Sequence, residues 1–185
     1  MKTTMKTSHV LLLVGAALVW SGQARAANAD TKAAYAQARE AAAATYKGAR
    51  KQCDAITGNP KDLCIAEAKA ARVHADEEAG ATYKNTLKAY TQARMRIASA
   101  NYDRDRVRCG ALTGNDKDVC LEQAKAVLVA AQADARADKK TIEARTEAQE
   151  DKRTAAYRVA REKCDAFAGA AKDQCASAAK SAYGE

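Results

Sequence analysis

Apolar residues recur every three or four positions through most of the chain, which is the pattern of helices that pack along one face. Before the first pair of cysteines the spacing runs 3, 4, 4, 3, 4, 3 through Tyr35, Ala38, Ala42, Tyr46, Ala49, Cys53 and Ile56. A similar seam follows the second cysteine of the first two pairs, at Cys64, Ala68, Ala71 and Ala75, and at Cys120, Ala124, Val127 and Ala131. We therefore predict an all-α fold with coiled-coil seams that are rich in alanine and bury little area per residue.

The seam belongs to an internal repeat that occurs three times. Each repeat has a tyrosine, a cysteine seven residues later and a second cysteine eleven residues after the first, over 46–64, 102–120 and 157–175. The large apolar residue three positions after the first cysteine is expected to take the next seam position in each repeat, at Ile56, Leu112 and Phe167. The tyrosines are expected to pack in the seam, and a row of rings that stacks on a ligand is the alternative.

The two cysteines of each repeat predict a hairpin. In one continuous helix, eleven residues would separate their Cα atoms by about 16 Å, whereas a disulfide requires about 4.4 to 6.8 Å. Two antiparallel helices joined by a tight turn bring them together, so we predict three local disulfides: Cys53–Cys64, Cys109–Cys120 and Cys164–Cys175. Pairing between chains is the alternative.

The residues between the cysteines predict the turns, near 54–63, 110–119 and 165–174. In the first repeat, Gly58 is expected in the left-handed position that ends a helix, Asn59 as the cap of the next helix and Pro60 at its first position. The second repeat has the same Thr-Gly-Asn order, whereas the third, at Gly169, lacks a good cap.

The stretches between the repeats allow two arrangements. High helix propensity favours one long helix in each stretch, which would give a zigzag of rods. Breaks near Gly80 or Asn85–Thr86, and near Thr141, would instead give a compact bundle of six helices.

The first 26 residues predict a cleavable secretory signal. Lys2 and Lys6 precede an apolar run over 10–20 that is too short to span a membrane, and an A-x-A site follows at 24–26. An uncleaved signal anchor is the alternative. The features suit a bacterial signal, so we expect a periplasmic helical domain over 27–185 without a transmembrane segment, in a compartment where disulfides persist.

Composition and charge exclude several functions. The formal net charge is +8, and about +5 after the signal is removed, with acidic residues interleaved. His74 is the only histidine beyond the predicted signal, and no metal-ligand spacing, redox C-x-x-C or glycine-rich phosphate loop is present. We therefore expect no enzyme activity, no cofactor and no metal. Because we expect the chain to be exported, we also expect no genomic DNA as a partner.

Three arginines are the remaining candidate site. Arg104, Arg106 and Arg108 end a predicted helix beside Tyr102, and such a cluster could contact an anionic envelope polymer or a membrane surface. The other interpretation is that cations near a helix C-terminus complement its dipole.

The signal, the Ala/Lys/Glu/Arg helices and the K-C-D-A-x-x-G-x-x-K-D-x-C pattern over 163–175 resemble a group of exported helical proteins of proteobacteria. These are often labelled TolA-like or cell envelope biogenesis proteins, and the resemblance covers most of the chain after the signal. TolA itself keeps an N-terminal membrane anchor and adds a C-terminal globular domain. Here we expect a cleavable signal in place of the anchor and no globular domain after the third hairpin, so a role in the Tol system is not expected to carry over. The sequence and the resemblance together predict a structural or interaction protein of the envelope that binds another protein or its own copies.

Overall fold

The computed structural model describes residues 23–184, with side chains described from residue 31. Most of the predicted signal, including its basic residues and apolar run, lies outside the described residues. Five helices make up nearly all of the described chain: α1 (Gln23–Cys53), α2 (Asn59–Lys84), α3 (Leu87–Cys109), α4 (Gly114–Cys164) and α5 (Gly169–Tyr183). The predicted all-α fold is confirmed.

Helices that follow each other in the chain pack against each other. The contacts within the described residues join α1 to α2, α2 to α3, α3 to α4, and α4 to α5. The first four helices therefore form an open row, whereas α5 packs on the C-terminal part of α4. The core is mostly alanine, and the large or cross-linked residues in it are Tyr157, Cys53, Cys109 and Cys164.

The three predicted disulfides are present. Cα atoms are 5.7 Å apart in Cys53–Cys64, 5.7 Å in Cys109–Cys120 and 5.6 Å in Cys164–Cys175. Each first cysteine is the last residue of a helix, and each second cysteine lies in the first turns of the next helix. The chain is thus three hairpins, which we call hairpin 1 (α1–α2), hairpin 2 (α3 and the start of α4) and hairpin 3 (the end of α4 and α5).

The two stretches between hairpins differ, so each predicted arrangement is right once. The first stretch breaks at Asn85, which adopts the left-handed conformation with φ 45°, and at Thr86, whose Oγ1 accepts a hydrogen bond from Ala89 N at 3.1 Å. The second stretch is continuous: Thr141 lies inside α4, and its Oγ1 donates to Ala137 O at 3.0 Å. Of these two threonines, only the one that follows a left-handed residue begins a new helix.

Two predictions about the turns were wrong. Gly58 has a positive φ of 67°, as expected, but it lies five residues beyond the end of α1 and its carbonyl opens α2 by accepting from Lys61 N at 2.9 Å. Asn59 does not cap α2. Its Nδ2 donates instead to Val107 O near the end of α3, at 3.0 Å. Pro60 is the second residue of α2, one position later than predicted but still in its first turn.

The seam also departs from a strict heptad. Ile56, Leu112 and Phe167 lie beyond the helix ends and are 38%, 41% and 53% exposed, because each helix already stops at its cysteine. Val127 is 61% exposed, and Leu128 is the more buried of the two. The inward positions of α4 are Ala124, Leu128, Ala131 and Ala135, which keep a 4, 3, 4 spacing in a different register from the predicted seam.

The contact between Asn59 and Val107 explains why the second repeat has Gly110 where the others have aspartate. A Cβ atom on Gly110 would lie 2.9 Å from Asn59 Nδ2 and 3.0 Å from Val107 O, at both ends of this hydrogen bond. The aspartates of the other repeats instead bind a lysine across their own turn, in Asp54–Lys61 at 3.5 Å and Asp165–Lys172 at 2.9 Å.

We predict that Gly110→Ala lowers the free energy of unfolding by about 1 kcal/mol, because it displaces Asn59 and removes one hydrogen bond. The same substitution in an Asn59→Ala background should cost clearly less, and urea unfolding of the four proteins of this cycle measures the difference. An equal cost in both backgrounds would show that Asn59 is not the reason for the glycine.

Candidate interaction surfaces

The disulfides lie at the hairpin turns, where they link the two helices of each hairpin. The first cysteine of each pair is 0%, 1% and 2% exposed, at Cys53, Cys109 and Cys164. The second cysteine of each pair, at Cys64, Cys120 or Cys175, is half-buried. Thiol–disulfide exchange needs a sulfur that an attacking thiolate can reach, so the burial of the first cysteines favours a cross-link over a redox centre. In hairpin 3, the Lys172 ammonium hydrogen-bonds the Asp165 carboxylate and lowers its pKa below the ordinary value.

The repeat tyrosines pack in the seams, and cations cover their rings. Arg72 lies 5.3 Å from the ring centroid of Tyr46, and Lys125 lies 5.5 Å from that of Tyr102. Tyr157 is the most buried of the three and packs near Tyr183, with 6.2 Å between ring centroids. These contacts occupy the rings and disfavour a row of tyrosines that stacks on a ligand.

The three candidate arginines do not form one patch. Arg104 binds the carboxylate of Asp105 at 3.0 Å, and Arg108 lies 3.2 Å from the same carboxylate. Arg106 is two residues from each, so it points about 200° around the helix from them, where it covers the ring of Tyr102. The arrangement favours ion pairs at a helix end over a polyanion site.

Other candidate chemistry is sparse. The side chain of His74 is 49% exposed, and its Nδ1 lies 3.4 Å from Glu78 Oε2 on the next turn of α2. Within the described residues, no group of three or more His, Cys, Asp or Glu side chains could hold a metal ion. No helix in residues 23–184 is both long and apolar enough to cross a membrane.

A groove follows the contact between α2 and α3. Its volume is about 450 Å³, and its lining is mostly apolar, with Ile65, Val73 and Val107 as the large residues and Arg96 and Arg104 among the polar ones. It is open along one side of the helix row, because the row is one helix thick.

The most distinctive surface is the middle of α4. Every residue from 140 to 153 is exposed, and we call this stretch the bare segment. On its N-terminal side α4 packs on α3, with an ion pair between Arg94 and Asp138 at 2.7 Å. On its C-terminal side α4 packs on α5 through Tyr157 and Cys164. The bare segment therefore separates hairpin 3 from the other two by about 21 Å of unsupported helix.

Sequence reasoning found the stapled hairpins but missed two features of these surfaces. The contact from Asn59 to Val107 was missed, although the change from Asp to Gly at position 110 was a visible signal. The bare segment was also missed; its signal is a run of residues over 140–154 with few large apolar side chains.

No family model, curated protein or solved structure matches this chain.

Proposed function

We propose that this protein is a non-enzymatic helical spacer of the bacterial cell envelope, which binds other protein chains at its two ends. The observation that carries the proposal is the continuous α4 of 51 residues, about 76 Å long, with a hairpin fixed at each end and a bare segment between them. A helix that is polar on all sides is typical of a solvated bridge between two packed units.

Three observations support export and a protein-binding role. The three disulfides suit an oxidising compartment, in agreement with the predicted signal at 1–26 and the predicted periplasmic location. The resemblance to exported TolA-like helical proteins points to the envelope. Each hairpin turn also presents one exposed large apolar side chain, at Ile56, Leu112 and Phe167.

Site-specific crosslinking in intact cells tests this proposal. A photoreactive amino acid is placed at Leu112 in hairpin 2 and at Phe167 in hairpin 3, with the exposed α1 position Lys47 as the matched control. We expect adducts to defined proteins from the two turns and none from the control. Absence of protein adducts at both turns would overturn the proposal. If the chain then bound an anionic polymer with an affinity that fell steeply with salt, the polyanion alternative would replace it.

A further inference from the structure

The charges around the bare segment are arranged in two blocks of opposite sign. The acidic block, residues 143–151, has four carboxylates and one arginine: Glu143, Glu147, Glu150, Asp151 and Arg145. The basic block, residues 152–163, has five cations and one carboxylate: Lys152, Arg153, Arg158, Arg161, Lys163 and Glu162. The sign changes between two adjacent residues, Asp151 and Lys152.

Most of these charges form no ion pair within the described residues. Glu143 lies 3.2 Å from Lys139. Among the described residues, no ion pair within 4.0 Å involves the following six: Glu147, Glu150, Asp151, Lys152, Arg153 and Arg158. Elsewhere the helices form ion pairs across their contacts, as in Arg96–Glu77 at 3.0 Å.

The acidic block also places like charges next to each other on the helix. Glu143, Glu147 and Asp151 follow one another at intervals of four residues, so they form a ridge of three carboxylates on one side. Like charges at this spacing destabilise a helix. A basic surface laid along the ridge would remove that repulsion.

We propose that a second copy of this chain supplies that surface, and that two copies pair antiparallel through residues 143–163 of α4. In a parallel pair, acidic would face acidic and basic would face basic. In an antiparallel pair, the acidic block of each copy lies along the basic block of the other, with the two-fold axis near Asp151 and Lys152. A single two-fold axis pairs both acidic blocks with both basic blocks, and it closes the assembly as a dimer.

The free side of α4 is compatible with this pairing. Val159 is 57% exposed and lies at the edge of the contact with α5, where it borders Ala178 and Tyr183. Ala148 and Ala155 are also exposed, and their small side chains allow two helices to approach closely. The apolar area is small, so charge must supply much of the affinity, and the dimer should weaken as salt rises.

This inference goes beyond the proposed function, because it adds a second copy of the chain as a partner along α4, apart from the partners at the two ends. The experiment is sedimentation equilibrium of the full chain without its signal, at low and high salt. One variant reverses the acidic block by Glu147→Lys, Glu150→Lys and Asp151→Lys. The other reverses the basic block by Lys152→Glu, Arg153→Glu and Arg158→Glu.

We expect the native chain to dimerise, and each variant alone to dimerise with a dissociation constant at least about tenfold higher, because like blocks then face each other. An equimolar mixture of the two variants should dimerise again. The matched control reverses three exposed carboxylates outside the region, by Glu40→Lys, Glu122→Lys and Asp134→Lys, which changes the net charge as much as the acidic-block variant. It should dimerise like the native chain.

A native chain that stays monomeric at low salt would overturn the inference, as would a dimer that neither block variant weakens. A mixture that fails to dimerise although circular dichroism shows both variants to be helical would overturn it as well. Such results leave the adducts from Leu112 and Phe167 in place, so failure of this inference is distinguishable from failure of the proposed function.

Discussion

Removing the second disulfide by Cys109→Ala and Cys120→Ala is expected to lower the free energy of unfolding by about 2 to 4 kcal/mol. The cross-link closes a short loop, with a sequence separation of 11, and so restricts the unfolded chain. The disulfide contributes a large share of the stability because the surrounding core is almost entirely alanine, including Ala93, Ala98 and Ala124. Each of these side chains contributes little burial energy. Urea unfolding followed by circular dichroism measures the loss.

Two comparisons separate the cross-link from the packing of the sulfur atoms. Under strong reductant the native chain keeps all six cysteine side chains but loses all three disulfides. It should therefore be less stable than the variant that lacks only the second disulfide. The equivalent pair in hairpin 3, replaced by Cys164→Ala and Cys175→Ala, should affect mainly that hairpin, because α5 packs on no other helix than α4 among the described residues. A reduced chain with an unchanged urea midpoint would contradict this account of the stability.

Ala148→Pro in the bare segment is expected to break α4 into two helices joined by a hinge. Proline removes the hydrogen bond to the carbonyl of residue 144 and clashes with it, at a cost of about 3 kcal/mol or more in a helix interior. Residues 140–153 are all exposed, so no neighbouring helix holds the chain straight across the break. We expect hairpins 1 and 2 to keep their stability while the distance between them and hairpin 3 becomes broadly distributed.

The matched control is Ala148→Gly, which costs about 1 kcal/mol of helix propensity and leaves the hydrogen bond in place. It should keep the distance between the hairpins narrow. If Ala148→Pro also left this distance unchanged, contacts outside the bare segment would have to hold hairpin 3 in position, and the spacer account would be wrong.

The stapled hairpins could be predicted because their geometry is local. The distance that eleven helical residues span forbids the disulfides of a straight helix, and this argument needs no knowledge of the tertiary structure. The charged residues at the helix ends, such as Arg161 and Lys163, follow from the helix dipole in the same way.

The remaining features depend on contacts between distant residues. The local sequence predicts that Asn59 caps a helix, yet its side-chain amide donates a hydrogen bond to the carbonyl of Val107, 48 residues away. The break at Thr86 is an exception with a local cause: Asn85 before it adopts the left-handed conformation that ends α2, whereas Lys140 precedes Thr141 inside α4. The row of helices leaves the bare segment uncovered because α3 and α5 are both much shorter than α4. No local sequence pattern predicts how long α3, α4 and α5 are relative to one another.

The distance between two spin labels in α4 tests the central claim most directly. Labelled unnatural amino acids at Ala130 and Arg158 flank the bare segment at exposed positions and spare the native cysteines. An excess of unlabelled chain removes distances between copies. A continuous helix predicts one narrow distribution near about 42 Å. A distribution below about 25 Å, as in a compact bundle that breaks near Thr141, would contradict the account.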